Sequence, residues 1–117
     1  MTTKSKNTLR FMKGKSEHRV KKEDIIRLEG KVNYTLVYTK NQSFLSSKTL
    51  KEYQYELNSS DFIRTHKSHI INRIHVISTD FQKGQGQVEL RTGDKVDVSR
   101  RRLREVKRLL SPHRLTL

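Results

Sequence analysis

Short runs of β-branched and aromatic residues, each ended by a turn signal within a few positions, decide what this chain can become. LRFM (9–12) and EHRV (17–20) flank Gly14, and IIRLE (25–29) precedes YTLVYT (34–39). KNQS (40–43) separates YTLVYT from FLS (44–46), while HVISTDF (75–81) and GQVELR (86–91) alternate with period two. TGDK (92–95) then turns the chain into VDV (96–98). Alternation of this kind places one strand face on a core, and Gly, Asn, Asp and Ser at the breaks supply turn conformations. The pattern predicts about eight short strands, with hairpins around Gly14 and across TGDK. Only two segments have helical period. In SSKTLKEYQYELN, Leu50, Tyr53 and Leu57 share a face, and Thr49 with Glu52 forms a capping box. In SRRRLREVKRLL, Leu103, Val106, Leu109 and Leu110 share a face, Ser99 suits the N-cap and Pro112 stops the helix. A mainly β domain with two short α-helices is expected, and 117 residues leave room for one.

Hydrophobic and charged residues each make up 32% of the chain, so the core must be modest and the surface densely charged. The formal charge of +14 is uneven. Residues 1–22 carry eight Lys or Arg against Glu17, residues 99–114 carry seven against Glu105, and the stretch between is nearly balanced. Basic ends on a balanced middle point to a polyanionic partner, nucleic acid first and an anionic membrane face second. Cysteine is absent, which excludes disulfides, thiolate nucleophiles and cysteine zinc sites. No apolar run approaches the length of a membrane span, and MTTKSKNTLR lacks the apolar stretch of a signal peptide. A cytoplasmic protein without membrane insertion is expected.

FIRTHKSHIIN (62–72) is strand-like on both sides of an interruption, His66-Lys67-Ser68-His69. Zinc usually takes three or four ligands; with no Cys and no second close His pair, a metal site is not expected. The histidines fit strand ends or a satisfied core equally well. Lys67 and Ser68 suit a loop that meets a phosphate or a base edge. Ser99-Arg100-Arg101-Arg102 sets three cations at a predicted helix start, where the macrodipole favours anions. Either that start tolerates the cost in solvent, or the arginines and free backbone N–H groups form a phosphate-binding cluster. Phe44, Tyr53, Tyr55, Phe62 and Phe81 fall at core-compatible spacing. Tyr34 and Tyr38, near Lys31 and Lys40, weakly imitate the aromatic–basic interleaving of a single-strand binder, but their shared strand face is read as packing inward. Gly84-Gln85-Gly86 completes no dinucleotide fingerprint, and the scattered carboxylates and serines offer no catalytic constellation. Neither an enzyme nor a cofactor is expected.

DIIRLEGKVNYTLVYT, TLKEYQYEL, FIRTHKSHIINRIHVI and VELRTGDKVDVSRRRLREVKRLL together resemble the LytTR (LytR/AlgR-type) DNA-binding domain of bacterial transcription regulators. The resemblance runs from about Asp24 to Leu110. Its most specific parts are F-I-R-x-H-K-S-x-x-I-N and the V-S-R-R segment that follows a Gly-Asp turn. The family's usual Tyr after the Lys/Arg-Ser pair is His69 here. The resemblance implies an elongated, mainly β fold of several small sheets with two short α-helices at the side. Residues 1–20 would then be a basic N-terminal arm and first strands, 21–112 the DNA-binding domain and 113–117 a tail. It also implies that loops, not a recognition helix, read duplex DNA in successive major grooves. Carried over by motif, those loops hold Asn33, Tyr34, Lys67 and Arg101, with Ser68, Arg100 and Arg102 as neighbouring backbone contacts. If Lys67 and Arg101 each enter a major groove, they read positions about one helical turn apart. Asn72 falls at a position taken to be structural. The expected partner is double-stranded DNA with repeated half-sites, bent by the protein, with self-association on DNA. Competing expectations are a basic RNA-binding accessory protein and a module whose basic arm holds an acidic protein or a membrane face. Many relatives carry a receiver domain for which this chain has no room. It is therefore a stand-alone regulator or an excised domain, with Met1 before a basic arm favouring the first.

Overall fold

A computed structural model describes residues 7–82 and 84–111. The arm lysines Lys4 and Lys6, the helix stop at Pro112 and the 113–117 tail lie outside these residues. Gly14, at φ 63, supplies the left-handed turn between β1 (Thr8–Lys13) and β2 (Ser16–Lys21). A 3₁₀ turn, Lys22–Asp24, leads into β3 (Ile25–Gly30), β4 (Thr35–Thr39) and β5 (Ser43–Ser46). Then come α1 (Leu50–Glu56), β6 (Phe62–His66) and β7 (His69–Asn72). A second 3₁₀ turn, Arg73–His75, precedes β8 (Val76–Asp80), β9 (Gly86–Leu90) and β10 (Lys95–Val98). A third, Arg100–Arg102, runs into α2 (Leu103–Leu109). FIRTHKSHIIN folds back on itself as β6 and β7, which raises the strand number to ten.

The strands form three antiparallel sheets, β1-β2, β5-β4-β3-β7-β6 and β10-β9-β8. This is the mainly β architecture of small sheets that the resemblance implied, elongated to 47 × 35 × 24 Å. The five-stranded sheet is the central layer, with a core on each face. On one side Leu28, Val37, Phe44 and Ile70 meet Leu9, Phe11 and Val20 of the first hairpin and Leu50, Tyr53 and Leu57 at α1. On the other, Ile26, Ile63 and Ile71 meet Val88, Leu90, Val96 and Val98 of the three-stranded sheet and Val106 of α2. Simple alternation would put Ile26 and Leu28 on one face. A register shift between Ile25 and Arg27 breaks the alternation, so β3 feeds both cores.

Local chemistry explains the helices. The Glu52 N–H donates to Thr49 Oγ1 (3.1 Å) and the Thr49 N–H to Glu52 Oε1 (2.7 Å), the predicted capping box. Ser99 makes no side-chain cap: the three arginines take a 3₁₀ turn, and α2 begins only at Leu103. A Cβ at Gly86 would lie 2.7 Å from Leu103 Cδ1 and 2.9 Å from Val98 Cβ, so only glycine lets α2 seat there. Of the aromatic residues expected inside, Phe44 and Tyr53 are buried, and Phe62 and Phe81 are partly so. Tyr55 is 87% exposed, on the outer side of α1. Tyr34 and Tyr38 do not pack inward either. Thr35 and Val37 take the core side of β4, because Val37 pairs with Leu28 and Phe44.

Asn72 is buried and works at both of its ends. Its Nδ2 donates to the Ile25 carbonyl (2.8 Å) and more weakly to that of Lys22 (3.4 Å), while Oδ1 accepts from the Ile74 N–H (3.3 Å). It thereby pins the start of β3 and caps the Arg73–His75 turn. Asn72→Ala strands the buried Ile25 carbonyl and removes two part-buried bonds, and should cost about 1–3 kcal/mol in urea unfolding. A loss below about 0.5 kcal/mol would show that the bonds are dispensable.

Candidate nucleic-acid interface

The seven residues singled out from the sequence lie on three connections that the fold ties together. The first joins β3 to β4. The Lys31 N–H donates to the Tyr34 carbonyl (2.8 Å), closing a tight loop with Val32 and Asn33 at its tip. Lys31 Nζ is held by Glu29 (3.1 Å), which also meets Arg27 (3.5 Å) and the Tyr38 hydroxyl (3.4 Å). Asn33 and Tyr34 are exposed. The second connection is the β6–β7 turn, which is shorter than the sequence implied. His66 and His69 face each other across the hairpin, with ring centres 5.2 Å apart, so only Lys67 and Ser68 remain as the turn. The Ser68 N–H donates to His66 Nδ1 (3.1 Å). The third is the 3₁₀ turn with Arg100, Arg101 and Arg102.

Two backbone hydrogen bonds set the order of these connections. The Gly30 N–H donates to the Ser68 carbonyl (2.9 Å), and the Ser99 N–H donates to the Thr65 carbonyl (2.8 Å). The β6–β7 turn is therefore the middle member, with the β3–β4 loop on one flank and the arginine turn on the other. Asn33, Tyr34, Lys67 and Ser68 line one open cleft of about 530 Å³, together with Lys31, Lys48, Lys51 and Arg64. Arg100 belongs to a separate hollow beside Leu103, Arg104 and Lys107. Arg101 is exposed and Arg102 partly buried. In a 3₁₀ turn successive side chains diverge by about 120°, so the three arginines fan out and cannot act as one clamp. Lys67 and Arg101 each stand two residues from the Thr65–Ser99 bond. Chain geometry limits their Cα separation to roughly 20 Å, short of the roughly 34 Å between major grooves one turn apart. Their side chains would have to diverge at nearly full reach to meet positions a full turn apart. The two flanking loops are the more widely separated pair.

Arg64 organises the middle turn, and sequence reasoning missed it. Its Nε donates to the His66 carbonyl (2.9 Å), Nη2 to the Lys67 carbonyl and Nη1 to Gln54 Oε1 (2.7 Å). The planar fork fits several acceptors at once, which a lysine would not. Partial burial, with the Arg102 charge beside it, lowers the guanidinium pKa from its ordinary value, yet arginine stays protonated at neutral pH. The available signal was its strand parity. Ile63 and Thr65 are buried, so Arg64 had to project from the other face, two and three residues before carbonyls that a tight turn leaves unpaired. Among the described residues, Lys67, Arg100, Arg101 and Arg102 meet no carboxylate, whereas Lys31, Lys48 and Arg27 do. The turn and its arginine flank thus set four cations close together, which suits phosphate contacts.

His69 is half-buried beside this turn. Burial lowers its pKa below the ordinary imidazole value, Glu29 raises it, His66 and Arg27 lower it, Asp97 raises it, and the net shift is downward. The folded state therefore favours neutral imidazole. Its contribution to stability is complete above the unfolded value of about 6.5 and is lost as pH falls from there toward the folded value. His69→Tyr should leave stability at pH 8 little changed and flatten the decline in melting temperature between pH 7 and 5. An identical decline in both proteins would show that His69 is not the sensing group.

A family model described as the LytTr DNA-binding domain matches residues 15–111. The heme-containing CO-sensing transcriptional regulator RcoM 2 of Paraburkholderia xenovorans is 34% identical over 92 residues, covering 75% of this chain and 34% of that protein. The sensory transduction protein LytR of Staphylococcus haemolyticus is 29% identical over 82 residues, covering 69% of this chain and 32% of that one. The chain thus spans about a third of the length of these curated relatives. A solved LytTr DNA-binding domain from Bacillus cereus superposes with a TM-score of 0.82 at 23% identity, over 90% of this chain and 97% of that chain. By the extent of the family match and the shared fold, this chain belongs to the LytTr DNA-binding domain family.

Proposed function

We propose that the protein is a sequence-specific, non-enzymatic transcription regulator that acts in the cytoplasm on duplex DNA. One observation carries the reading: three loops with exposed polar and basic tips are tied in a row by the Gly30–Ser68 and Ser99–Thr65 hydrogen bonds. The flanking members, with Asn33 and Tyr34 on one side and Arg101 on the other, enter successive major grooves. Arg101 supplies bidentate base recognition. Lys67 and Ser68, in the middle, contact the DNA between those grooves, and Arg100 and Arg102 hold phosphates. A rigid edge of this length engages both grooves when the duplex bends toward it, at a cost on the order of 1–6 kcal/mol. The basic surplus at the two ends of the chain offsets that cost by attracting phosphates. Monomers occupy repeated half-sites side by side and associate on the DNA. The family assignment and the transcriptional regulators among the relatives support the reading.

A gel-shift series on a duplex recovered by genomic selection tests it. The complex should survive excess random duplex and RNA, and its mobility on circularly permuted fragments should vary with site position. With about five to eight phosphate contacts, affinity should fall with a log–log salt slope of about −4.5 to −7. Loss of the complex to RNA competitor would favour an RNA-binding role instead, and position-independent mobility would refute the bend.

Arg101→Ala should cost roughly 1–3 kcal/mol on the selected site and relax base preference at one position. Equal loss on every sequence would reduce Arg101 to a phosphate contact. Lys67→Ala should weaken specific and random duplexes alike, with melting temperature unchanged.

A further inference from the structure

Val32 is the feature of the interface that a polar account leaves over. It is 95% exposed and belongs to neither core. It sits at the tip of the β3–β4 loop beside exposed Asn33, where the Lys31–Tyr34 hydrogen bond forces residues 32 and 33 outward. Below the tip, the Lys31–Glu29 ion pair and the contacts of Glu29 with Arg27 and Tyr38 hold the loop base. A valine so placed contributes nothing to burial in the free protein. Its branched side chain, stiff at χ1, projects two methyl groups at a defined angle. In the major groove the C5-methyl of thymine is the apolar group on a base edge, and apolar side chains recognise it by contact.

We propose that Val32 is a specificity-determining residue that reads a thymine C5-methyl in the major groove entered by the β3–β4 loop. The proposal rests on the duplex-DNA reading above and adds to it a base preference that hydrogen bonding does not supply. Asn33 and Tyr34 provide the polar contacts beside it, and Val32 adds selection for thymine over bases without the methyl. Because Val32 touches neither core, changing it leaves the fold intact, so a binding defect reports on the interface alone.

Single replacements of thymidine by deoxyuridine remove one methyl and keep the hydrogen-bonding edge. Wild-type protein should bind the selected duplex about fourfold more tightly than one such variant, the factor expected for one buried methyl at about 0.8 kcal/mol. Val32→Ala should bind the parent duplex more weakly and discriminate thymidine from deoxyuridine at that position by less than twofold. Val32→Thr, which keeps the branched shape and one methyl, should retain part of the discrimination. Both variants should melt with the wild type. Indifference to every deoxyuridine replacement would overturn the proposal, as would equal sensitivity in wild type and Val32→Ala. If the wild type bound no duplex in preference to random DNA, the DNA reading itself would fall. That outcome is distinct from tight, selective binding that ignores the methyl.

Discussion

Two backbone hydrogen bonds set the three candidate loops in a row, Gly30 N–H to the Ser68 carbonyl and Ser99 N–H to the Thr65 carbonyl. The first continues the β3–β7 ladder one step beyond Glu29–His69, and the second joins the arginine turn to β6. A loop alone samples many positions, and fixing one backbone residue costs about 1–2 kcal/mol. Tying loops to a strand pair that is already ordered places that cost in folding, before any DNA is met. Under the proposed function the loop residues then need no ordering of their own main chain on binding, and preorganisation of this kind favours affinity. Arg64 extends the scheme from below by occupying two carbonyls of the turn and fastening them to Gln54 of α1.

The scaffold beneath is arranged so that the central sheet can support loops from both of its faces. The shift in β3 sends Ile25 and Leu28 into one core and Ile26 into the other, whereas Ile70 and Ile71 divide between the cores by ordinary alternation along β7. Glycines act at the contacts that matter. A Cβ at Gly30 would lie 2.9 Å from Leu50 Cγ, so the residue that anchors Ser68 also lets α1 pack against β3. Gly86 does the same for α2, whose seating positions the arginine turn. An added side chain at either place would disturb the β3–β4 loop or the arginine turn through the core, without touching the residues at their tips.

Much of this was legible in the sequence where the determining interaction is local. The Gly14 hairpin, the Thr49–Glu52 capping box and the alternation of GQVELR follow from residues within a few positions of one another, and the structure holds each of them. The structural role of Asn72 came with the family motif. What escaped depends on distant partners. The face taken by Tyr34 and Tyr38 is decided by Val37 meeting Leu28 and Phe44. Ser99 makes no side-chain cap, and its N–H instead joins Thr65, 34 positions earlier in the chain. The brace formed by Arg64 needs both the turn and α1 to be in place. For the candidate site, the residue types and the loops that carry them were readable. Their order in space, with Lys67 between the other two groups, required the sheet.

The central claim is that these three loops act as one DNA-binding edge. Backbone amide NMR during titration with the selected duplex tests it most directly. Amides of residues 30–34, 67–68 and 99–102 should shift together and saturate at the same DNA ratio, while those of the opposite-end turns, 40–42 and 92–94, stay in place. Shifts centred instead on the cleft lined by Arg19, Lys40 and Arg91, or saturation of the three loops at different ratios, would contradict it.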